Sequence, residues 1–231
     1  MSLSEFRIKT CPKSFYYIPN FIDEEKEKYL LNKFYNVPKS KWTYLSHRRL
    51  QNWGGLPDQK GMILEDIPEW VNEIMTKIND ISIFADNNIQ TNHALLNEYQ
   101  QGEGILPHHD GPLYYPIVAT LSLNSHTVLN FYEPQSNDKI IPINERKIAQ
   151  AFIEPRSLYL MNEDIYSYFM HGIDEALSDL IDVDKFCNMD FLDKKYSSEL
   201  ANQELSRSTR VSFTIRNVPK TVKLSKSFKF R

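Results

Sequence analysis

A histidine and an aspartate two positions apart, His108 and Asp110, are the residues whose types and spacing most directly suggest chemistry. In an extended segment, residues i and i+2 point to the same side, so an imidazole and a carboxylate can reach one metal ion. A second histidine from elsewhere would complete the two-histidine, one-carboxylate face with open positions that non-haem Fe(II) oxygenases use. His171, which ends an aromatic segment and is followed by Gly172, is the best distal candidate. We therefore predict His108, Asp110 and His171 as Fe(II) ligands.

The remaining histidines leave this choice of ligands partly open. His109 is adjacent to Asp110, and neighbouring strand residues face opposite ways, which favours His108 over His109. Three others, which fit ordinary polar or partly buried roles, are His47, His93 and His126. A His-x-Asp tripeptide is weak evidence by itself, since most such tripeptides are incidental, so the prediction depends on further features of the chain.

A segment near the C-terminus, residues 210–216, alternates polar and apolar residues without a break. On a strand, its polar residues share one face: Arg210, Ser212, Thr214 and Arg216. Two arginines that point into a barrel need anionic partners, because a buried unpaired guanidinium is very costly. A dicarboxylate fits, since the arginine fork matches a carboxylate bidentately. The competing interpretation is a strand with its polar face in solvent. Asn97 and Tyr99, again at i, i+2 spacing, could donate hydrogen bonds to the same carboxylate ligand.

The elements that must position these residues change character along the chain. Asp23 is a good N-cap for a helix over 24–35, and helical spacing of apolar residues predicts a second helix over 67–81. Short β-branched or aromatic segments follow, and they predict strands at 93–99, 117–123, 128–132, 147–153, 157–161, 166–171 and 210–217. Helices followed by strands predict an α+β fold. We expect a double-stranded β-helix (jelly roll) with the N-terminal helices packed on one sheet.

The 231 residues are enough for one domain with a sizeable core. Within that domain, 1–231, residues 15–90 would hold the N-terminal helices and 91–219 the jelly-roll core. Residues 174–206 are rich in Asp, Ser, Lys and Asn, which predicts a mobile acidic insertion. Residues 220–231 form a basic tail.

Composition narrows the cellular setting and the partners. Cys11 and Cys187 are the only cysteines and lie far apart, which indicates neither a disulfide framework nor a zinc knuckle and favours a reducing compartment. No signal-peptide pattern or membrane-spanning apolar run is present, so we expect an intracellular protein of the cytoplasm or nucleus, without membrane contact and monomeric. The net charge of −3 does not announce nucleic-acid binding. However, 39–60 holds five Lys/Arg against one acid, a local basic segment behind the neutral total.

Taken in order along the chain, these motifs resemble the AlkB-type Fe(II)/2-oxoglutarate dioxygenases. The matching set is Asn97-x-Tyr99-x-x-Gly102, His108-x-Asp110, His171 and Arg210-x-x-x-x-x-Arg216. Longer blocks at 50–57, 111–116 and 125–134 resemble most closely the subgroup of the sixth human AlkB homologue. The likeness runs from residue 15 to 219 and leaves out the acidic insertion and the tail.

The resemblance implies a jelly roll that holds Fe(II) on His108, Asp110 and His171 and uses 2-oxoglutarate and O₂ as co-substrates. Arg210 would bind the distal carboxylate of 2-oxoglutarate. The residues that would support its other end or shape the pocket are Asn97, Tyr99, Ser212 and Arg216. In this family the reaction commonly hydroxylates an N-alkyl group on a nucleobase and releases the repaired base and an aldehyde.

The segment 40–57 lies where this family carries its nucleotide-recognition lid. Aromatic residues interleaved with arginines suit base stacking and phosphate contact. The predicted substrate residues are Arg49, Asn52, Trp53 and, after the metal motif, Tyr115. The competing interpretation makes Trp53 a core anchor. Nucleic acid, as a single strand or a flipped base, is the expected partner, without a choice between DNA and RNA.

Three other functions compete with this prediction. The same scaffold could oxidise a protein side chain, or bind nucleic acid as a reader with little turnover. A hydrolytic zinc enzyme could also use His and Asp ligands, but the paired arginines count against it, because hydrolysis needs no dicarboxylate co-substrate.

Overall fold

The computed structural model describes residues 2–12, 14–135 and 139–223. Its α-helices are α1 (Glu24–Tyr35), α2 (Glu69–Asn79), α3 (Ser82–Ala85), α4 (Glu163–Ser167) and α5 (Lys194–Ser197). The strands of the first half are β1 (Phe15–Ile18), β2 (Thr43–Leu45), β3 (Arg48–Trp53), β4 (Met62–Ile63), β5 (His93–Tyr99), β6 (Ile105–His108) and β7 (Ile117–Leu123). Those of the second half are β8 (Thr127–Tyr132), β9 (Lys147–Ile153), β10 (Leu158–Asn162), β11 (Met170–Ile173), β12 (Ser178–Leu180), β13 (Glu204–Ser206), β14 (Arg210–Arg216) and β15 (Thr221–Val222).

Two antiparallel sheets form the body of the protein. The larger has the strand order β1-β10-β7-β14-β5-β3-β2, and the smaller has the order β6-β11-β8-β9. One apolar cluster lies between the sheets and includes Phe15, Phe131 and Tyr159. A second cluster lies between the larger sheet and the N-terminal helices. This is the predicted arrangement of a two-sheet jelly roll with helices packed on one sheet.

The two predicted helices are confirmed, and local sequence explains how each begins. The Asp23 carboxylate accepts a hydrogen bond from the Lys26 backbone N–H at 2.8 Å, which caps α1. Pro68 precedes α2 and supplies the extended backbone that enters it. Leu30 and Phe34 of α1 are fully buried, as is Ile78 of α2. These side chains form the apolar faces that cover the outer side of the larger sheet.

Strand β14 occupies the middle of the larger sheet, between β7 and β5. Its seven residues are all buried, as the uninterrupted alternation predicted for a strand with two covered faces. Val211, Phe213 and Ile215 join the cluster under the helices. The opposite, polar face of β14 therefore points between the sheets.

Residues 166–171 differ from the predicted strand. The helix α4 extends into the start of this segment, and the strand β11 begins only at Met170. Glu163 and Asp164 stand in the first helical turn, where acidic side chains interact favourably with the free N–H groups. Ile165 and Tyr166 are both buried. Both belong to the apolar cluster between the sheets, which anchors this helical turn.

The acidic segment 174–206, predicted to be mobile, contains secondary structure and packs on the smaller sheet. Its ends pair as β12 and β13, with Asp179 opposite Leu205. Phe186 and Tyr196 are buried and pack on Phe152. The composition is polar, but a few well-placed aromatic residues anchor the segment to the core.

The candidate lid segment and the residues after it form the hairpin β2–β3 and the short strand β4. β3 pairs with β5 and so extends the larger sheet. The predicted basic tail contains β15, which pairs in parallel with β4. Residues 224–231 of this tail lie outside the described residues. Among the residues that the structure describes, no helix is long and apolar enough to cross a membrane.

Candidate active site

A cavity of about 640 Å³ opens between the two sheets. It brings together the predicted metal ligands and the polar face of β14, with Arg210 and Arg216 at its wall. The turn of the β2–β3 hairpin, residues 45–48, borders the same cavity. Its volume lies in the range of small-molecule and cofactor sites.

The three predicted metal ligands converge at one end of this cavity. His108 ends β6 and faces His171 of β11 directly across the sheet register, with ring centroids 4.5 Å apart. Asp110 follows β6, and its Oδ2 lies 3.8 Å from His171 Nε2. Two neutral imidazoles and one ionised carboxylate are the donor set that suits Fe(II). Across the described ranges, however, no group of three such side chains already has the geometry to hold an ion.

The neighbouring hydrogen bonds distinguish His108 from His109. His108 Nδ1 lies 2.8 Å from the carbonyl oxygen of Leu106. A carbonyl only accepts, so Nδ1 carries the proton and Nε2 keeps a lone pair for a metal. His109 Nε2 is instead 2.8 Å from the Tyr168 carbonyl oxygen, outside the cavity. This geometry supports the choice of His108.

Burial keeps the two candidate imidazoles neutral, the form that binds metal. It lowers the pKa of His108 and lowers that of His171 to about 4. Burial by itself would raise the pKa of Asp110, but the positive charge of Arg216 outweighs it and holds that pKa below its usual value. The carboxylate is therefore ionised at neutral pH.

Arg210 carries the clearest sign of a missing anionic partner. It is 4% exposed, its Nε donates to Ser122 Oγ at 2.9 Å, and its Nη2 is buried without a hydrogen-bond partner. The guanidinium also lies 5.9 Å from the ring centre of Tyr99. A buried cationic donor without a partner is costly, so a carboxylate from a ligand fits this position.

Arg216 borders the cavity and contacts one of the candidate metal ligands. Its Nη2 donates to the Asp110 carboxylate, so in this structure it pairs with a candidate metal ligand rather than facing a free anion site. The guanidinium also lies 4.5 Å from the ring centre of Tyr114. Because β14 alternates, Arg216 and Arg210 share a face but stand at opposite ends of the strand, one beside the metal end and one beside Ser122.

The other predicted co-substrate residues surround the same cavity. Asn97, Tyr99 and Ser212 all border it and are buried. Asn97 lies opposite Ser212 in the β5–β14 register, and the Asn97 Oδ1 atom has no partner. Tyr159, which the sequence reasoning missed, interacts with Arg210 and Thr120 through its hydroxyl, and burial raises its pKa. Its position on the predicted strand 157–161, in alternation with core residues, was the available signal.

Two of the predicted substrate residues on β3 face away from the cavity. Arg49 lies opposite Glu98 and binds its carboxylate through two hydrogen bonds of 2.9 and 2.8 Å. Trp53 is 8% exposed, packs against Trp70 and belongs to the cluster under the helices. The prediction that Arg49 and Trp53 contact a base does not agree with this placement. Trp53 is a core residue, the competing interpretation.

The cavity side of β3 is carried by its even-numbered residues. Arg48 borders the cavity, and its buried Nε has no hydrogen-bond partner. Asn52, also predicted to contact substrate, shares that face but lies beyond the cavity wall. Arg48 and Arg49 are identical neighbours in the sequence, and only the register with β5 decides which of them faces the cavity.

The same shift of one residue occurs after the metal motif. Tyr115, the predicted substrate residue, packs on the cluster under the helices. Tyr114 borders the cavity, where its ring centroid lies 5.6 Å from that of His93. The pair Tyr114-Tyr115 in the sequence gave no parity signal, because the segment before β7 is a turn rather than a strand.

Comparison with known proteins gives independent evidence on the family to which the chain belongs. Residues 25–216 match the model of the 2OG-Fe(II) oxygenase superfamily. The chain is 41% identical over 226 residues to the Danio rerio protein named "Probable RNA/DNA demethylase ALKBH6", which covers 96% of this chain and 93% of that one. It is 30% identical over 224 residues to "Uncharacterized protein L905" of Acanthamoeba polyphaga mimivirus, covering 94% of this chain and 91% of that one.

Two solved structures share the fold at low sequence identity. OsALKBH1 matches with a TM-score of 0.56 at 12% identity and covers 88% of this chain and 98% of that chain. A prolyl-4-hydroxylase of Pseudomonas putida matches with a TM-score of 0.52 at 10% identity and covers 93% of this chain and 97% of that chain. The family model covers most of the chain, and the cavity between the sheets carries the matching donor set. The chain belongs to the 2OG-Fe(II) oxygenase superfamily.

Proposed function

We propose that this enzyme, a dioxygenase that uses Fe(II), 2-oxoglutarate and O₂, removes alkyl groups from the nitrogen atoms of nucleobases in DNA or RNA. One observation carries the proposal. A single cavity joins the histidine–aspartate cluster, the partnerless Nη2 of Arg210 and an open mouth bordered by Arg48. The name of the Danio rerio relative, which is 41% identical, supports nucleic acid as the substrate class.

Fe(II) would be held by His108, Asp110 and His171. When bound with 2-oxoglutarate and O₂, it supplies the oxidising power that hydroxylates the alkyl carbon on the base nitrogen, with succinate and CO₂ as the other products. The hydroxylated alkyl group then leaves as an aldehyde, and the nitrogen regains its proton.

The chain's own residues bind and orient the reactants. Arg210 donates Nη2 to the distal carboxylate of 2-oxoglutarate while Ser122 holds its Nε. Asn97 and Tyr99 border the co-substrate on the neighbouring strand. Arg216 keeps Asp110 ionised and limits the directions that its carboxylate can face. These residues act through position and charge, because the cofactor supplies the oxidising chemistry.

The nucleic acid would enter over the β2–β3 hairpin. A base inside a duplex must be extruded or single-stranded to reach a cavity of this kind. Arg48 offers a positive charge at the entrance, where Ser46 and His47 of the hairpin turn also border the cavity. Tyr114 borders the interior beside the metal cluster. Arg48 and Tyr114 therefore replace Arg49 and Tyr115 as the substrate residues that we propose.

The test is a turnover screen with N-methylated oligonucleotides, single- and double-stranded, of DNA and of RNA. Aldehyde, succinate and the demethylated base are measured together, since coupled turnover forms them in equal amounts. We expect product from at least one nucleic acid, and no product with His108→Ala. Succinate without base repair from any oligonucleotide, or product from methylated peptides alone, would refute the nucleic-acid assignment.

A matched pair of variants tests which face of β3 meets the substrate. We expect Arg48→Ala to weaken oligonucleotide binding and to reduce the slope of log affinity against log salt by about 1, as loss of one phosphate contact requires. Arg49→Ala changes the neighbouring residue on the other face and should leave that slope unchanged. The reverse pattern would contradict the proposed entrance.

A further inference from the structure

The two cysteines of the chain meet in space, although 176 positions separate them. Sγ of Cys11 and Sγ of Cys187 lie 2.7 Å apart, and both residues are half-buried thiols. A second contact joins the same two segments, because Thr10 Oγ1 donates to the Cys187 carbonyl oxygen at 2.7 Å. The sequence alone indicated no such pairing.

The segment around Cys187 is held by its backbone against the edge strand of the smaller sheet. The Cys187 N–H donates to the Gln150 carbonyl oxygen of β9 at 2.8 Å. The Asn188 side chain donates to the Phe152 carbonyl oxygen and accepts from the Phe152 N–H. This segment therefore covers a strand edge that would otherwise present unpaired N–H and C=O groups.

The segment around Cys11 is fixed on the other side. Ile8 is 1% exposed, and its N–H donates to the Phe15 carbonyl oxygen at 2.9 Å. Arg7 forms a bridge with Tyr16 in β1. Cys11 thus lies between Ile8 and Phe15, which the fold holds in place, and Cys187 is itself hydrogen-bonded to β9, so the closeness of the sulfurs does not depend on two free segments meeting by chance.

The surroundings favour a bond between the sulfurs rather than a shared metal. In the part of the chain that the structure describes, no further His, Cys, Asp or Glu joins the pair to form a metal-binding group of three. A disulfide needs the sulfurs to approach to about 2.03–2.05 Å, a closure of roughly 0.7 Å from their present separation.

We propose that Cys11 and Cys187 are a thiol–disulfide site that an oxidant of the peroxide class closes into an intramolecular bond. One thiolate sulfur attacks a peroxide oxygen, the O–O bond breaks, and a sulfenic acid and water form. The second sulfur then attacks the sulfenic sulfur and displaces the hydroxyl group as water. Two thiols and one H₂O₂ give one disulfide and two H₂O, so two electrons pass from sulfur to oxygen.

The protonation of Cys11 makes closure depend on pH. The hydrogen bond with Cys187 and burial raise the pKa of Cys11, so its sulfur stays protonated at neutral pH and reacts poorly as a nucleophile. Once formed, the disulfide links the N-terminal segment covalently to the segment around Cys187 that pairs with β9. It closes a loop that contains most of the chain.

The Cys11–Cys187 pair lies outside the active-site cavity, because neither cysteine borders that cavity. The expected result of closure is therefore stability. A closed loop of this length reduces the freedom of the unfolded chain, which should raise the melting temperature by about 5–15 °C.

The experiment uses the full chain, stripped of metal so that iron does not react with the oxidant. Reduced protein is treated with H₂O₂ at pH 7.5 and at pH 9, and intact mass, titratable thiols and the melting temperature are followed. We expect both thiols to disappear from the monomer with a loss of about 2 Da, faster at pH 9, and dithiothreitol to reverse it.

Cys11→Ser and Cys187→Ser are the matched controls, since each keeps the size of the side chain. Neither should gain thermal stability on oxidation, while the reduced forms of both should melt near the reduced wild type. Retention of both thiols in the treated wild type would overturn the proposal. Disulfide-linked dimers in place of the lighter monomer, or an equal rise in melting temperature in either serine variant, would overturn it as well.

Discussion

Replacing Arg210 by methionine should weaken the binding of 2-oxoglutarate by about 2–4 kcal/mol, or roughly 30- to 1,000-fold, while leaving the ligand-free protein intact. The magnitude follows from what the side chain contacts. Ser122 holds Nε at 2.9 Å, and Nη2 is buried with no partner to satisfy it. One charge-assisted hydrogen bond and the attraction of a charge in a dry cavity are thus lost, together with the counter-charge of the bound carboxylate.

The free protein should respond in the opposite direction. An arginine with a partnerless buried Nη2 costs stability until a ligand binds, so Arg210→Met should unfold at the same urea concentration as the wild type or a higher one. This separation of affinity from stability distinguishes a ligand anchor from a structural arginine. Arg210→Lys keeps the charge without the planar fork and should fall between the two in affinity.

Affinity is measured by anaerobic titration of the Fe(II)-loaded protein with 2-oxoglutarate, followed by the visible charge-transfer absorption and by calorimetry. Arg7→Met is the control, because Arg7 is exposed and does not border the cavity. If Arg210→Met binds 2-oxoglutarate as tightly as the wild type, the reasoning fails. It also fails if the variant loses several kcal/mol of stability without ligand.

Three further predictions concern the frame around the site. Arg49→Met should lower the free energy of unfolding by about 2–4 kcal/mol, because Glu98 is buried and loses its counter-charge; a loss below about 0.5 kcal/mol in urea unfolding would argue against it. Burial and the charge of Arg216 lower the pKa of His93 to about 3, so protonation favours the unfolded chain as the pH falls below the ordinary histidine pKa of about 6.5. Between pH 7.5 and 5, the wild type should therefore lose about 2 kcal/mol more of its free energy of unfolding than His93→Phe. Parallel pH profiles of the two proteins would contradict this. Gly104→Ala would put a Cβ 2.3 Å from the Ile173 carbonyl oxygen, so thermal unfolding should show a loss of at least about 2 kcal/mol, whereas an unchanged melting temperature would mean that β6 and β11 separate easily.

Patterns that repeat along one element were predictable from the sequence. The alternation over 210–216 identified β14 and put Arg210 and Ser212 on one face. The N-cap at Asp23 and the apolar spacing after it predicted α1 with its observed bounds. In each case one local rule, a period of 2 or 3.6, decides which side chains lie together.

The side of a strand that faces the cavity could not be predicted where polar and apolar residues do not alternate strictly. In β3, Leu50 and Gln51 are both buried, so hydrophobicity does not say which side of the strand faces the cavity. The register with β5 decides it, since Arg49 lies opposite Glu98 and Leu50 opposite Asn97. That register is a tertiary fact, and it moved the proposed contact from Arg49 to its neighbour.

Contacts between distant segments were also beyond local rules. The approach of Cys11 to Cys187 depends on β1 pairing with β10 and on the packing of the acidic segment against β9. The sequence predicted that segment to be mobile because its composition is polar. Two aromatic contacts, made by Phe186 and Tyr196 with Phe152, anchor that segment instead.

The position of β14 in the larger sheet has a consequence for folding during synthesis on the ribosome. This strand leaves the ribosome after both of its neighbours in the sheet, because it begins at Arg210 whereas β7 begins at Ile117 and β5 at His93. Until it arrives, those two strands have open edges facing each other and the cavity lacks Arg210 and Arg216. A nascent chain therefore cannot retain 2-oxoglutarate, and a chain cut short before residue 210 would be an exposed half-sheet prone to aggregate.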